Sequence, residues 1–243
     1  MSGVRVDLHE KYFPDMSGEG RRQILGQICF SVEKGEFLAI VGPSGCGKTT
    51  LLNLIAGLDA DFKGDIALEG MAEKAVPNIG YVFQTPRLLP WRTVFENVCL
   101  ALKAPALKEG FVEKLLAEAG LTEFRDAYPE KLSLGQRRRA AIVRAFAVIP
   151  DLLLMDEPFV SLDRPTAERL RRLLLDIWRT RPTTVLFVTH DLDEAIALAD
   201  RVLVLSDGPA TLLADVPIAV SREERTGKVL AEFRQRLQSP EKS

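Results

Sequence analysis

Two short stretches carry residue types that do phosphate chemistry. The first is GPSGCGKT at 42–49, which fits G-x-x-x-x-G-K-[ST] in full. Gly42, Gly45 and Gly47 let the backbone turn tightly and approach an anion, with Pro43, Ser44 and Cys46 completing the loop. Successive backbone N–H groups then point into one concavity and form an anion nest. A helix expected after the loop adds roughly half a positive charge at its N-terminus. Lys48 brings a full charge to the β- and γ-phosphates. The Thr49 hydroxyl is placed to ligate Mg²⁺, and Thr50 is within reach of the α-phosphate. Alone, this loop implies a nucleoside triphosphate, a ligand that kinases, GTPases and motors share.

The second stretch is LLLMDEP at 152–158, an apolar run ending in two acids. An apolar strand end is rigid, so Asp156 can be held near the Mg²⁺. Glu157 is next along the chain, and neighbouring side chains of a strand point to opposite sides. Glu157 is thereby placed toward an attacking water, where a carboxylate acts as general base.

These residues need a frame. FLAIV at 37–41, bounded by Gly35 and Gly42, reads as a buried strand, with a helix from Lys48 to about Ala56. VRVDL, ILGQICFSV and GDIAL make the early part β-rich. The stretch from about 90 to 135 reads as helical, and 86–145 as a helical subdomain inserted into the core. LLLMD (152–156), TVLFVTH (184–190) and RVLVLS (201–206) read as strands. Helices are expected from Pro165 onward and through 192–199. This alternation predicts an α/β fold with a mostly parallel sheet, an N-terminal antiparallel β subdomain and the inserted helical subdomain. The expected division is one domain over 1–243, with 1–85 and 146–216 as nucleotide-binding core and 217–243 as a helical tail.

Composition narrows the class. The chain has 243 residues, 47% apolar and 27% charged, enough for one well-cored domain. Its net charge of −2 argues against a nucleic-acid partner. Cys29, Cys46 and Cys99 are scattered and match neither a disulfide framework nor a zinc site, which fits a reducing compartment. The N-terminus lacks a signal-type apolar stretch, and no window approaches the roughly 18 apolar residues of a membrane span. A membrane role therefore requires a membrane partner.

The remaining motifs resemble those of the ABC ATPases. LSLGQ at 132–136 is similar to their LSGGQ signature, SLD at 161–163 to the D-loop, His190 in FVTHD to the switch histidine, and Gln84 in YVFQ to the Q-loop glutamine. The resemblance implies a head-to-tail homodimer with two ATP molecules at the seam. Ser133, Gly135 and Gln136 of one copy would reach ATP bound by the phosphate loop of the other. Asp163 would communicate between the sites, and His190 would hold the γ-phosphate. Gln84 would sense Mg²⁺ and water, joining Thr49 and Asp156 as the metal's neighbours. Tyr12 resembles the aromatic that stacks on adenine, with Phe13 an equal candidate by spacing. Leu134 stands where the signature has its first glycine, a departure expected to alter packing at the seam.

LLPWRTVFENV (88–98), LLLMDEPFVSLD (152–163) and LFVTHDLDEAIALADRVLVLS (186–206) resemble the nitrate/sulfonate/taurine import ATPases. That branch implies a permease whose coupling helix docks near 85–98, with Trp91 and Phe95 as apolar anchors. It also implies an extracytoplasmic solute-binding protein acting indirectly, and a peripheral position on the cytoplasmic face of the plasma membrane. Three alternatives stay open: a non-transport ABC ATPase, a P-loop small-molecule kinase, and export rather than import within the transporter class, against which only the branch resemblance argues.

Overall fold

The computed structural model describes residues 3–15, 20–68, 77–100, 102 and 110–238. Chain contacts divide it into two compact units, 1–75 with 184–243, and 76–183. This division differs from the one expected from sequence. The stretch 146–183 groups with the helical part, because its helices pack on one another.

The first unit holds two sheets. In one, the long strand β1 (Val4–Pro14) pairs antiparallel with β2 (Arg21–Leu25), β3 (Ile28–Val32) and β5 (Lys63–Leu68). Val4, Val6 and Leu8 are buried and alternate with outward residues, the period-two pattern of a sheet with one wet face. In the other, β4 (Phe37–Val41) lies parallel between β8 (Thr184–Thr189) and β9 (Arg201–Leu205). Every residue of β4 and β8 is buried, as continuous apolar runs in a covered parallel sheet must be. Helices α1 (Lys48–Ile55) and α6 (Leu192–Leu198) pack on these strands.

The sheet's far edge is β10 (Leu212–Pro217), antiparallel to β9. The sequence reading passed over it: only Val216 of its six residues is buried, so no apolar run marks it. Pro217, which donates no backbone hydrogen bond, suits an edge strand. The tail is helical from Gly227 to Gln238 (α7), after a 3₁₀ turn at Arg222–Glu224. Arg225 is buried and donates to the carbonyls of Ile196, Ala199 and Val220, tying the tail to α6.

The second unit pairs the short strand β6 (Ile79–Val82) parallel with β7 (Leu152–Asp156). Around them lie α2 (Val94–Cys99), α3 (Phe111–Glu118), α4 (Leu134–Ala147) and α5 (Arg164–Thr180). Among its described residues, the region 90–135 is less helical than its spacing suggested. After α3 stops at Gly120 (φ 62), it runs through 3₁₀ turns at Thr122–Phe124 and Pro129–Lys131. Helix α4 is the spine here, packing against α2, α3, α5 and β6. Helix α5 buries Ala167, Leu170, Leu173, Leu174 and Ile177 along one face. No helix among the described residues is long and apolar enough to cross a membrane.

Candidate functional site

The sequence-derived site residues fall into two groups, one in each unit. In the first unit, the phosphate loop runs from the end of β4 to the start of α1. Gly45 and Gly47 sit at φ 81 and 110, in the left-handed region. A β-carbon on Gly47 would meet Leu25 Cδ2 at 2.6 Å and Ile24 Cγ2 at 2.9 Å, so this position also needs glycine for space. Lys48 is 5% exposed, and its Nζ donates to the carbonyls of Gly42 and Pro43, both at 2.7 Å. Both of these partners are uncharged carbonyls, and among the described residues no carboxylate pairs with the ammonium. Pro43, Ser44, Gly45 and Thr49 are exposed, Gly42, Gly47 and Thr50 half-buried. Cys46 is buried, and that burial pushes its thiol up despite the opposing charge of Lys48.

His190 is exposed just past the end of β8. Its flanks are fixed. Thr189 Oγ1 donates to Glu194 Oε2 at 2.7 Å and accepts from the Asp191 N–H at 3.0 Å. Asp191 then caps α6 by accepting from the N–H groups of Asp193 and Glu194. Tyr12 and Phe13 lie beside a bulge in β1. The Tyr12 hydroxyl donates to Glu10 Oε2 at 3.4 Å, while the Phe13 ring lies under the Lys11 ammonium at 4.7 Å. Lys11 is itself buried against Asp59 and the Asp61 carbonyl.

In the second unit, β7 ends on Asp156, which is 4% exposed. Glu157 follows at φ 43, a left-handed conformation that costs a β-carbon residue roughly 1–2 kcal/mol. The turn throws its carboxylate to Gln84, whose Nε2 donates to Oε2 at 3.4 Å. Beneath, Tyr81 stacks on Phe83, with Arg87 over the Phe83 ring. Burial, and then the charge of Asp156, raises the Tyr81 hydroxyl well above its ordinary value.

The LSLGQ residues open α4 as a capping box. Ser133 Oγ accepts from the Gln136 N–H at 3.2 Å, and Gln136 Oε1 accepts from the Ser133 N–H at 2.7 Å. Gly135 comes so close to α5 that a β-carbon would lie 2.9 Å from Thr166 Cγ2. Asp163 caps α5 by accepting from the Thr166 N–H at 3.2 Å, and this bond holds its carboxyl below the usual range. Ser133, Leu134, Gly135 and Asp163 share the wall of one cleft of about 400 Å³. Leu134 lines this cleft, where a glycine would leave it wider.

Two residues that the sequence reading did not single out tie these loops to α4. Buried Arg138 donates to the carbonyls of Glu157, Pro158 and Val160. Arg144, two turns on, donates to the carbonyls of Pro86 and Arg87, and burial lowers its guanidinium pKa. A faint signal existed in QRRRAAIVRA: Arg138 falls one turn before Ile142, in the buried stripe of the helix. Near the expected docking groove, Trp91 is 68% exposed, whereas Phe95 is half-buried under Arg125, 3.9 Å from its ring. Asn97 is fully buried and pins the 89–93 loop through the Leu89, Arg92 and Thr93 carbonyls.

Each unit, taken by itself, carries groups whose chemistry suits a nucleoside triphosphate or its Mg²⁺. The loop offers one buried cation and a helix start, and a hydroxyl and a strand-end carboxylate are hard oxygen ligands. Known proteins point the same way. The ABC transporter family model matches residues 25–160. The chain is 44% identical over 220 residues to an aliphatic sulfonates import ATP-binding protein, SsuB 2, of Burkholderia lata, covering 90% of this chain and 81% of the relative. It is 40% identical to SsuB of Bacillus licheniformis, covering 96% and 92%. Among solved structures, the dimeric post-hydrolysis ATP-binding cassette MJ0796 bound to ADP and Pi superposes with a TM-score of 0.77 at 30% identity. That match covers 90% of this chain and 100% of the cassette. A complete phosphate loop, a strand-end acid pair and kinship over 90% of its length make the chain an ATP-hydrolysing member of the ABC transporter family.

Proposed function

We propose that two copies of this chain dimerise head to tail, clamp two ATP molecules, and drive a permease that imports an aliphatic sulfonate. The observation that carries the ATP-dependent part is the phosphate loop, where Lys48 is buried and its ammonium is held by two uncharged carbonyls of the loop. The named cargo of the relatives in Burkholderia and Bacillus supports the sulfonate assignment.

The roles follow from the residues. Gly42 to Gly47 and Lys48 hold the β- and γ-phosphates, Thr50 the α-phosphate, and Tyr12 the adenine. Thr49, Asp156 and Gln84 would hold Mg²⁺, which would supply charge neutralisation at the phosphate oxygens. Glu157 takes the proton of the attacking water, and Gln84, already in contact with its carboxylate, orients that water. His190 steadies the γ-phosphate. Ser133, Gly135 and Gln136 close on the γ-phosphate of the opposite copy with the N-terminal dipole of α4 behind them. Asp163 reports the state of one site to the other. The groove near 85–98, with Trp91 exposed, receives the permease's coupling helix at the cytoplasmic face of the membrane. By role, the proposed nucleotide-binding core is 1–85 with 146–216 and the proposed helical subdomain is 86–145, a division distinct from the two contact-defined units.

Glu157→Gln tests the chemistry. It binds ATP, accumulates as a dimer by light scattering, and loses roughly 10²–10⁴ of its turnover. Near-parental turnover removes Glu157 from the role of base. The cargo is read in proteoliposomes holding the permease: turnover rises with the sulfonate-loaded binding protein, and a rise with nitrate instead reassigns the substrate.

A further inference from the structure

Helix α4 carries a buried charge that donates to three carbonyls of the loop that presents Glu157. Arg138 is 6% exposed. Its Nη1 donates to the carbonyl oxygens of Glu157 at 3.3 Å and Pro158 at 2.8 Å, and its Nη2 to that of Val160 at 2.7 Å. The segment so gripped has a residue with a β-carbon in the left-handed region at each end, Glu157 at φ 43 and Ser161 at φ 61. Such conformations persist where the surroundings over-determine them. A planar guanidinium with donors in a fixed fork can do this, and a single ammonium cannot reach three carbonyls in the same arrangement. Within this unit, the turn at Glu157 is what sends its carboxylate to Gln84.

We propose that Arg138 is a positioning residue for ATP hydrolysis: its guanidinium holds the 157–160 backbone so that the Glu157 carboxylate meets Gln84. The proposal rests on the reading of Glu157 as general base. It also gives α4 a second duty. The helix opens at Ser133, and Arg138 lies five residues, roughly 7.5 Å, further along its axis. A displacement of the LSLGQ turn is therefore delivered to the Glu157 loop through one side chain. Clamping of nucleotide and alignment of the base become a single movement.

The test uses the whole chain carrying Arg138→Met, Arg138→Lys, Glu157→Gln, and the Met and Gln changes together. Arg138→Met lowers kcat about tenfold or more, as a small misplacement of a catalytic group does, while KM and affinity for a fluorescent ATP analogue stay within about twofold. Arg138→Lys recovers part of kcat. In single-turnover hydrolysis, Arg138→Met adds no further loss to Glu157→Gln, because it acts through that carboxylate. If the Met variant does not fold, Arg138→Lys carries the test with the same split between kcat and KM. The proposal is overturned by parental kcat in Arg138→Met, by nucleotide affinity falling in step with kcat, or by losses that multiply in the double variant. Its failure is distinct from that of the base assignment. A slow Glu157→Gln beside a fast Arg138→Met sinks this proposal alone, whereas parental turnover in Glu157→Gln removes both.

Discussion

The phosphate loop and the carboxylate loop meet the same geometric demand in opposite ways. Each begins where a fully buried strand ends, β4 at Val41 and β7 at Asp156, and each must turn sharply to present a charged group. The phosphate loop puts its left-handed residues on glycine, at positions 45 and 47. The carboxylate loop puts them on Glu157 and Ser161, which have β-carbons, and grips the segment between with the Arg138 guanidinium. The difference follows from what each loop offers its ligand. In the first, backbone N–H groups do the binding, so side chains are obstacles. In the second a side chain does the chemistry, so the residue at the turn cannot be glycine, and the strain must be held from elsewhere.

The comparison is broken most severely at Lys48, where both ideas of charge presentation meet. Lys48→Ala removes the one buried cation of the phosphate loop and leaves the backbone cradle in place. Nucleotide binding falls below detection in titration with a fluorescent ATP analogue. Retention of affinity within about tenfold would show that the backbone nest and helix dipole suffice without the ammonium.

A milder break tests the glycines. Gly47→Ala forces a β-carbon into φ 110 and against Leu25, which is fully buried and has little room to retreat. Gly45→Ala at φ 81 meets nothing within 4 Å, so it bears the backbone cost alone. Destabilisation of about 1–3 kcal/mol is expected at position 47, and less at 45, by urea unfolding. Equal losses at both positions would mean that contact with Leu25 is irrelevant.

The same contrast explains what the sequence made legible. GPSGCGKT announces itself because glycines mark left-handed backbone and the lysine follows at fixed spacing. FLAIV and LLLMD were read to the residue because fully buried parallel strands are continuous apolar runs. β10 escaped because it is an edge with one buried residue, and 90–135 misled because Pro129 and Gly120 break a helical apolar spacing into 3₁₀ turns. Arg138 and Arg144 escaped for a different reason. An arginine in QRRRAAIVRA looks like a solvated helix face, and only tertiary packing shows that its guanidinium faces backbone carbonyls. Ser133 was legible as an expected phosphate contact, and its capping box adds a second role, at the N-terminus of α4.

The finest test asks whether the carboxylate loop is truly held against its own preference, and Ser161 isolates the question from the chemistry at Glu157. Ser161→Gly has two opposing effects. Glycine relieves a left-handed β-carbon, a gain of roughly 1–2 kcal/mol. It also frees the unfolded chain, a loss of roughly 0.4–1 kcal/mol. The balance is a small stabilisation, about 1 kcal/mol or less, visible as a higher urea midpoint with unchanged slope. Ser161 is exposed, so lost packing contributes little. A destabilised Ser161→Gly would mean that the left-handed turn costs nothing there and that the Arg138 grip has no strain to oppose. The stabilisation should also grow in an Arg138→Met background, where one end of the segment has lost its tether and the intrinsic preference of residue 161 counts for more. Additive changes in that pair would separate Ser161 from the arginine and confine the grip to Glu157, Pro158 and Val160.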